Sequence, residues 1–218
     1  MLAPDFNVIA PAADITLLSL AEMRAAVGIA DGSRDADVQR IASRATADIV
    51  NACKVAADGA TPPTLRRETV QDTFRLNRWW NRRDHPGLRE TLIVSRRPIV
   101  DVISVVEAGV TLDPAADFEI RAGTGQLIRL YDDQPAHWAR DKIVVQYDAG
   151  WEKVPDGLKG AVEELMQLYW NDVTRDPLLK SVNVPGVLER QYWIGSPTDP
   201  AIPQSVLDRL GPYINPQS

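Results

Sequence analysis

The period of the apolar residues changes twice along this chain, and those two changes constrain its fold more than any other feature. From about Asp35 to Ala57, Val38, Ile41, Ala45, Ile49 and Cys53 recur at intervals of three and four, the spacing of one helical face. From about Leu65 to Tyr147 the period is that of strands. The run "TLIVSRRPIVDVISVVEAGVTL" is rich in β-branched residues, with Ala108-Gly109 placed as a two-residue hairpin turn. "DFEIRAGTGQLIRLY" repeats the pattern with Gly123 and Gly125 in the turn, and "KIVVQYDAGW" supplies a last strand. After Gly150 the helical period returns, with Leu158, Ala161, Val162, Leu165 and Leu168-Tyr169 on one face. Helices on both sides of a strand-rich block predict an α+β fold, a helical body carrying an antiparallel β-rich insertion.

The second change is concentrated in "YDAGWEKVP", residues 147–155. Gly150 lets the chain reverse at positive φ, Val154 is held out of the helical region by the proline that follows, and Pro155 suits a first helical turn. The junction reads as strand, turn, helix. Upstream, Ser19 and Glu22 stand at capping-box spacing and open a short helix that stops at Gly28 or Gly32. The long second helix is expected to end at Gly59 and Pro62-Pro63. These signals divide the chain into an N-terminal arm, flexible or docked (1–16), a helical body (17–60 and 153–183), the β-rich insertion (61–152) and an extended C-terminal arm with a short helix (184–218).

Composition removes several kinds of chemistry. A chain of 218 residues with 44% hydrophobic residues can bury a real core. It has no apolar run of membrane-spanning length, and "VIAPAADITLLSL" lacks the basic leader of a signal peptide, so synthesis in the cytoplasm without export is expected, with no membrane partner. Cys53 is the only cysteine and falls at helical spacing after Ile49, reading as a small buried hydrophobe. With two histidines, His85 and His137, no metal site or histidine-based triad is built, and no cofactor and no enzymatic activity are expected. Glu163-Glu164 and Asp132-Asp133 read as solvated surface; Asp31, Asp35 and Asp37 lack the glycine and glutamate of a calcium loop.

Two segments look made for contact. Net charge is −6, yet residues 61–100 hold nine arginines against four acids, densest in "FRLNRWWNRRDHPGLR". There Arg78, Arg82 and Arg83 flank Trp79 and Trp80. Such a cluster could grip phosphates and stack on bases, or pack on the β layer and meet a protein. The last stretch, from Ser181, has six prolines and no period, and exposes Val187, Leu188, Tyr192, Trp193 and Ile194, so it requires another surface.

The order of these parts resembles the head-tail connector, or adaptor, proteins of long-tailed bacteriophages and gene transfer agents. The resemblance covers nearly the whole chain and rests on "LSLAEMRAAVGI" followed by "DADVQRIASRATADIV", on "LIVSRRPIVDVISVVEAGVTL", on "IVVQYDAGWEKVPDGLKGAVEELMQLYW", and on the ending "VPGVLERQYW" with "IPQSVLDRLGPY". It implies a structural virion protein at the neck, a homo-oligomeric ring of about twelve copies docked under the portal. Such a ring extends the channel through which genomic DNA passes non-specifically and receives stopper or tail-completion proteins. It implies portal contact through Val187, Leu188, Tyr192, Trp193 and Ile194. It gives no role to residues 75–89, which leaves Arg78, Trp79, Trp80, Arg82 and Arg83 as secondary interface candidates. The alternative is a small DNA-binding or DNA-processing accessory protein using that segment.

Overall fold

The computed structural model describes residues 4–75, 91–139, 142–173, 181–184, 188–191 and 202–215. In chain order its elements begin with strand β1 (Asp5–Ala10), helices α1 (Leu20–Val27) and α2 (Asp35–Ala52), and strands β2 (Glu68–Arg75), β3 (Thr91–Ile93) and β4 (Ile99–Glu107). Next come β5 (Val110–Thr111), β6 (Phe118–Arg121), β7 (Gln126–Tyr131), β8 (Gln134–Pro135) and β9 (Lys142–Ala149). Helix α3 (Asp156–Val173), strands β10 (Ser181–Val184) and β11 (Leu188–Gln191) and helix α4 (Gln204–Leu210) close the order. The fold is α+β, and its strands pair antiparallel. The chain divides into two compact units, one of residues 1–15, 53–153 and 214–218, the other of residues 16–52 and 154–213.

The first unit is the β-rich one. A five-stranded sheet runs β1-β2-β9-β4-β5, and a second sheet runs β3-β7-β6 with β8 paired to β7. Val70, Phe74, Val105, Ile143, Val145 and Tyr147 from the first sheet meet Leu92, Phe118 and Leu127 from the second, with Trp138, in one buried cluster. Arg129 of β7 ties the sheets together by donating from Nε to Glu107 of β4 at 2.9 Å. The β4–β5 hairpin turns at Ala108 (φ 50°) and Gly109 (φ 85°), the paired positive values that match the twist of a two-residue hairpin. The turn between β6 and β7 contains Gly123 and Gly125, as the sequence predicts.

Residues 5–10, aperiodic between Pro4 and Pro11 in the sequence, are an edge strand on β2, with Phe6 and Val8 packed on the core. The prolines bracket the strand, which is where an edge tolerates them.

The second unit is helical. Ser19 and Glu22 form the expected capping box, and Gly28 closes α1 in the left-handed conformation. Glu22 also accepts from Lys159 Nζ of α3 at 2.5 Å. That bond, with those from Ser19, holds its carboxyl down at about 2. Helix α3 packs against α1, α2 and α4. Its buried stripe is Leu158, Ala161, Val162, Leu165 and Met166; Leu168 and Tyr169, expected on the same face, are half-buried.

Two boundaries differ from the sequence reading. Helix α2 ends at Ala52, ahead of Gly59, because Lys54 takes φ 53° and breaks the ladder. The short C-terminal helix is not part of a free arm: Val206 and Leu210 of α4 are fully buried and Ser205 Oγ donates to Glu164 of α3 at 2.6 Å.

Candidate interaction surface

Two sets of residues in the β-rich unit decide what it can present outward. One is a buried polar network that fixes the loop between β3 and β4. Asp72 on β2 accepts from Ser95 N (2.7 Å), Ser95 Oγ (2.6 Å) and Tyr147 Oη (2.9 Å). Burial raises the Asp72 carboxyl above its ordinary range, and the same burial raises the Tyr147 phenol. Arg96, itself buried, pairs with Glu68 and donates to Ala56 O and Thr64 O, while its guanidinium lies 5.1 Å from the Phe6 ring centre. Every polar atom of this network has a partner inside the unit. Its chemistry is structural: it locks residues 94–98 against β2 and β9.

Arg97 extends the lock to the chain end. It donates to Ile214 O at 3.0 Å and to Asn215 Oδ1 at 3.3 Å. Asn215 in turn donates its backbone N–H to Cys53 O at 2.9 Å and its side chain to Lys54 O at 3.5 Å. Cys53 is buried and its thiol is pushed up to about 12, so it stays protonated and inert.

With the loop locked, β4 is held so that part of it faces solvent. The β4–β9 register shifts between Ile99 and Asp101 and again between Val102 and Ser104, two bulges. Ile99, Val102 and Val105 therefore pack inward, while Val100 (47% exposed) and Ile103 (51% exposed) point out beside the exposed Asp101. Val110 at the hairpin and Tyr131 beside the β7–β8 turn are also exposed. Sequence reasoning missed Asp101 and Ile103, since the period-two pattern of a strand puts both on the same face as the buried Ile99.

In the helical unit Arg34 lies over the Trp170 ring at 4.2 Å and Arg44 over the Tyr169 ring at 4.3 Å, while Tyr169 donates to Asp48 at 2.7 Å. These contacts cover the aromatic pair with α2 and the residue that precedes it. Among the described residues no group of three or more histidines, cysteines or acids is placed to hold a metal, and no helix is long and apolar enough to cross a membrane.

Of the contact residues expected from sequence, Val187, Tyr192, Trp193 and Ile194 lie outside the described residues, as do Arg78, Trp79, Trp80, Arg82 and Arg83. Leu188 opens β11, opposite Val184 of β10. These two strands pair with each other and with no other strand among the described residues.

The chain is similar in fold to subunits of gene transfer agent (GTA) particles, two of them from the particle neck. The chain matches one from the neck of an empty GTA particle computed with C6 symmetry at TM-score 0.54 and 18% identity, over 98% of this chain and 96% of the other. It matches one from the neck of a native GTA particle computed with C12 symmetry at TM-score 0.52 and 15% identity, over 98% and 96%. A chain from the virion of a native GTA particle matches at TM-score 0.50 and 18% identity, over 78% and 84%. At these identities the likeness is one of fold. No protein-family model and no curated protein matches the chain.

Proposed function

We propose that this chain is the adaptor subunit of a particle neck, a structural virion protein that forms a ring under the portal, extends the DNA channel and receives stopper or tail proteins. The observation that supports it is the likeness of fold to GTA neck chains, which covers 98% of this chain and 96% of each of the two neck chains. The order of sequence motifs points the same way. A ring of about twelve copies requires each subunit to use different surfaces toward its two neighbours. A chain with a net charge of −6 suits a channel that DNA passes without being held.

In this reading the portal anchor is the segment holding Val187, Leu188, Tyr192, Trp193 and Ile194, and Arg78, Trp79, Trp80, Arg82 and Arg83 form a secondary protein contact. Removing everything from residue 184 onward would also remove α4, whose Val206 and Leu210 are buried, so that truncation confuses anchoring with folding. Tyr192→Ala with Trp193→Ala avoids this. Loss of two aromatic anchors should lower occupancy on portal-bearing heads by at least about thirtyfold with the melting temperature kept. Unchanged occupancy moves the anchor elsewhere. One or two copies per particle, or a position away from the neck, overturns the adaptor reading. A monomer that retards duplex DNA in a salt-dependent way would favour an accessory DNA-binding role for residues 75–89.

A further inference from the structure

We propose that Arg97 is a socket for a carboxylate of the neighbouring copy in the ring, supplied by the Asp132–Asp133 turn at the opposite end of β7. The inference rests on the ring reading above and names one contact that such a ring makes.

The socket is a cation short of an anion. Arg97 is half-buried, and burial lowers its affinity for the proton with no acid among the described residues to offset it. Arg24, Arg96 and Arg129, buried or half-buried like it, each pair with a carboxylate. The Arg97 stem lies against Gly125, where a Cβ would come within 2.8 Å of its Cγ and Cδ. Nε and Nη2 share one edge of the guanidinium, and that edge is occupied by Asn215 Oδ1 at 3.3 Å and Ile214 O at 3.0 Å. Nη1 reaches Thr124 O only at 3.5 Å. The edge between Nη1 and Nη2 takes a carboxylate through two parallel bonds, and no acid of the described residues fills it. Ala122, Gly123 and Thr124 beside it are exposed and small, which leaves the approach open. A guanidinium held rigid and partly desolvated without a counter-charge breaks the rule that buried charges are paired, and such departures mark functional sites.

The matching group stands at the other end of β7. That strand starts beside Arg97, at Gln126, and ends at Tyr131, about 20 Å away by the rise of a strand. There Asp132 (φ 52°) and Asp133 (φ 58°) form the two-residue turn into β8. Both are exposed and have no ion pair among the described residues, and the adjoining Tyr131 is 78% exposed. Within one chain the strand keeps cation and acids apart. Between two copies they meet head to tail, as the unlike, complementary surfaces that a closed ring requires. A phosphate backbone is the poorer fit, because it presents a row of anions and needs several cations. Arg121, the other cation of the β6–β7 turn, is already paired with Glu119 at 3.5 Å.

The test puts an amine in the socket. Full-length Arg97→Lys chains are assembled on portal-bearing heads and treated with a carbodiimide, which joins an amine to a touching carboxylate with loss of water. The expected product is a pair of copies joined from the new amine at position 97 to Asp132 or Asp133, absent from the parent chain treated alike. No such product while Arg97→Lys keeps its place on the heads, a link to another acid of the chain, or a link to the portal would each overturn the proposal. Asp132→Asn with Asp133→Asn supplies a second readout that leaves the Arg97 hydrogen bonds intact, since asparagine accepts a left-handed turn. Ring occupancy should fall about tenfold with the melting temperature unchanged, and unaltered occupancy would overturn the proposal as well. Arg97→Gln on DNA-filled and emptied heads separates carboxylate from phosphate. Loss of occupancy on both is expected, and loss on filled heads alone would assign the socket to DNA and overturn the carboxylate. Copy number of the parent chain per particle separates the two levels. A full ring in which the acids can be neutralised without effect sinks this contact alone, whereas absence of a ring sinks the adaptor reading.

Discussion

The turn at Gly150 offers the sharpest test of how this chain is built. Gly150 sits at φ 100°, where a side chain is strained in any surroundings, and its surroundings are backbone. A Cβ there would lie 2.4 Å from Arg66 O, 2.8 Å from Arg66 C and 3.0 Å from Leu65 O. Those atoms cannot swing aside. Trp151 N donates to Leu65 O at 2.9 Å, Arg67 N donates to Trp151 O at 3.2 Å, and Gly150 N donates to Pro98 O at 3.0 Å. Gly150→Ala therefore adds about 1–2 kcal/mol of left-handed strain to about 1–3 kcal/mol for displacing a hydrogen-bonded backbone.

Gly109 separates the two contributions. It has φ 85°, but nothing lies within 4 Å of the position its Cβ would take, so Gly109→Ala carries the conformational part alone. In a chain of this size 1 kcal/mol shifts the midpoint by about 2–4 °C. Thermal unfolding followed by circular dichroism should place Gly109→Ala about 2–6 °C below the parent and Gly150→Ala about 10 °C below it. If the two variants melt within about 2 °C of each other, the steric part of the argument is wrong.

Three other variants test the remaining elements. Glu68→Gln leaves the Arg96 guanidinium buried beside a neutral partner and should cost about 3–5 kcal/mol in urea unfolding, whereas Glu68→Leu combined with Arg96→Met should cost less than that single change. The carboxyl of Glu22 falls from 4.5 to about 2 on folding, so its contribution is complete above pH 4.5 and is lost as pH drops toward 2. Glu22→Gln should lower stability near neutral pH and flatten the acid limb of the stability curve, and an unchanged limb would refute the assignment. Leu210→Ala should cost about 2–5 kcal/mol if α4 is a core element, while a surface helix would show little change.

Much of the fold was legible because period and punctuation agree in the sequence. Ser19 with Glu22, Ala108-Gly109 and the stripe from Val38 to Cys53 each specify a local structure without help from the rest of the chain, and each forms. Elements whose stability comes from remote partners were not legible in the same way. Strand β1 offers only Phe6 and Val8 as an alternating signal, and it is held by a ladder to β2, by Val8 N donating to Asp58 at 3.2 Å, and by Ala12 N donating to Glu68 at 3.2 Å. Helix α4 is too short to stand alone and is held by what it buries on α3. The network around Asp72 and Arg96 joins residues far apart in sequence, and no local pattern announces it.

The outer surface of β4 shows why an exposed apolar patch on a strand is hard to read from sequence. "IVDVISVVE" is nearly continuous in apolar residues, so periodicity has little contrast to work with. Each bulge then inserts one residue, and the inward positions become Ile99, Val102 and Val105, a spacing of three that mimics a helix inside a strand. Alternation would have assigned Ile103 to the core and left Val102 outside. These two insertions are what hide Asp101 and Ile103 from a sequence reader.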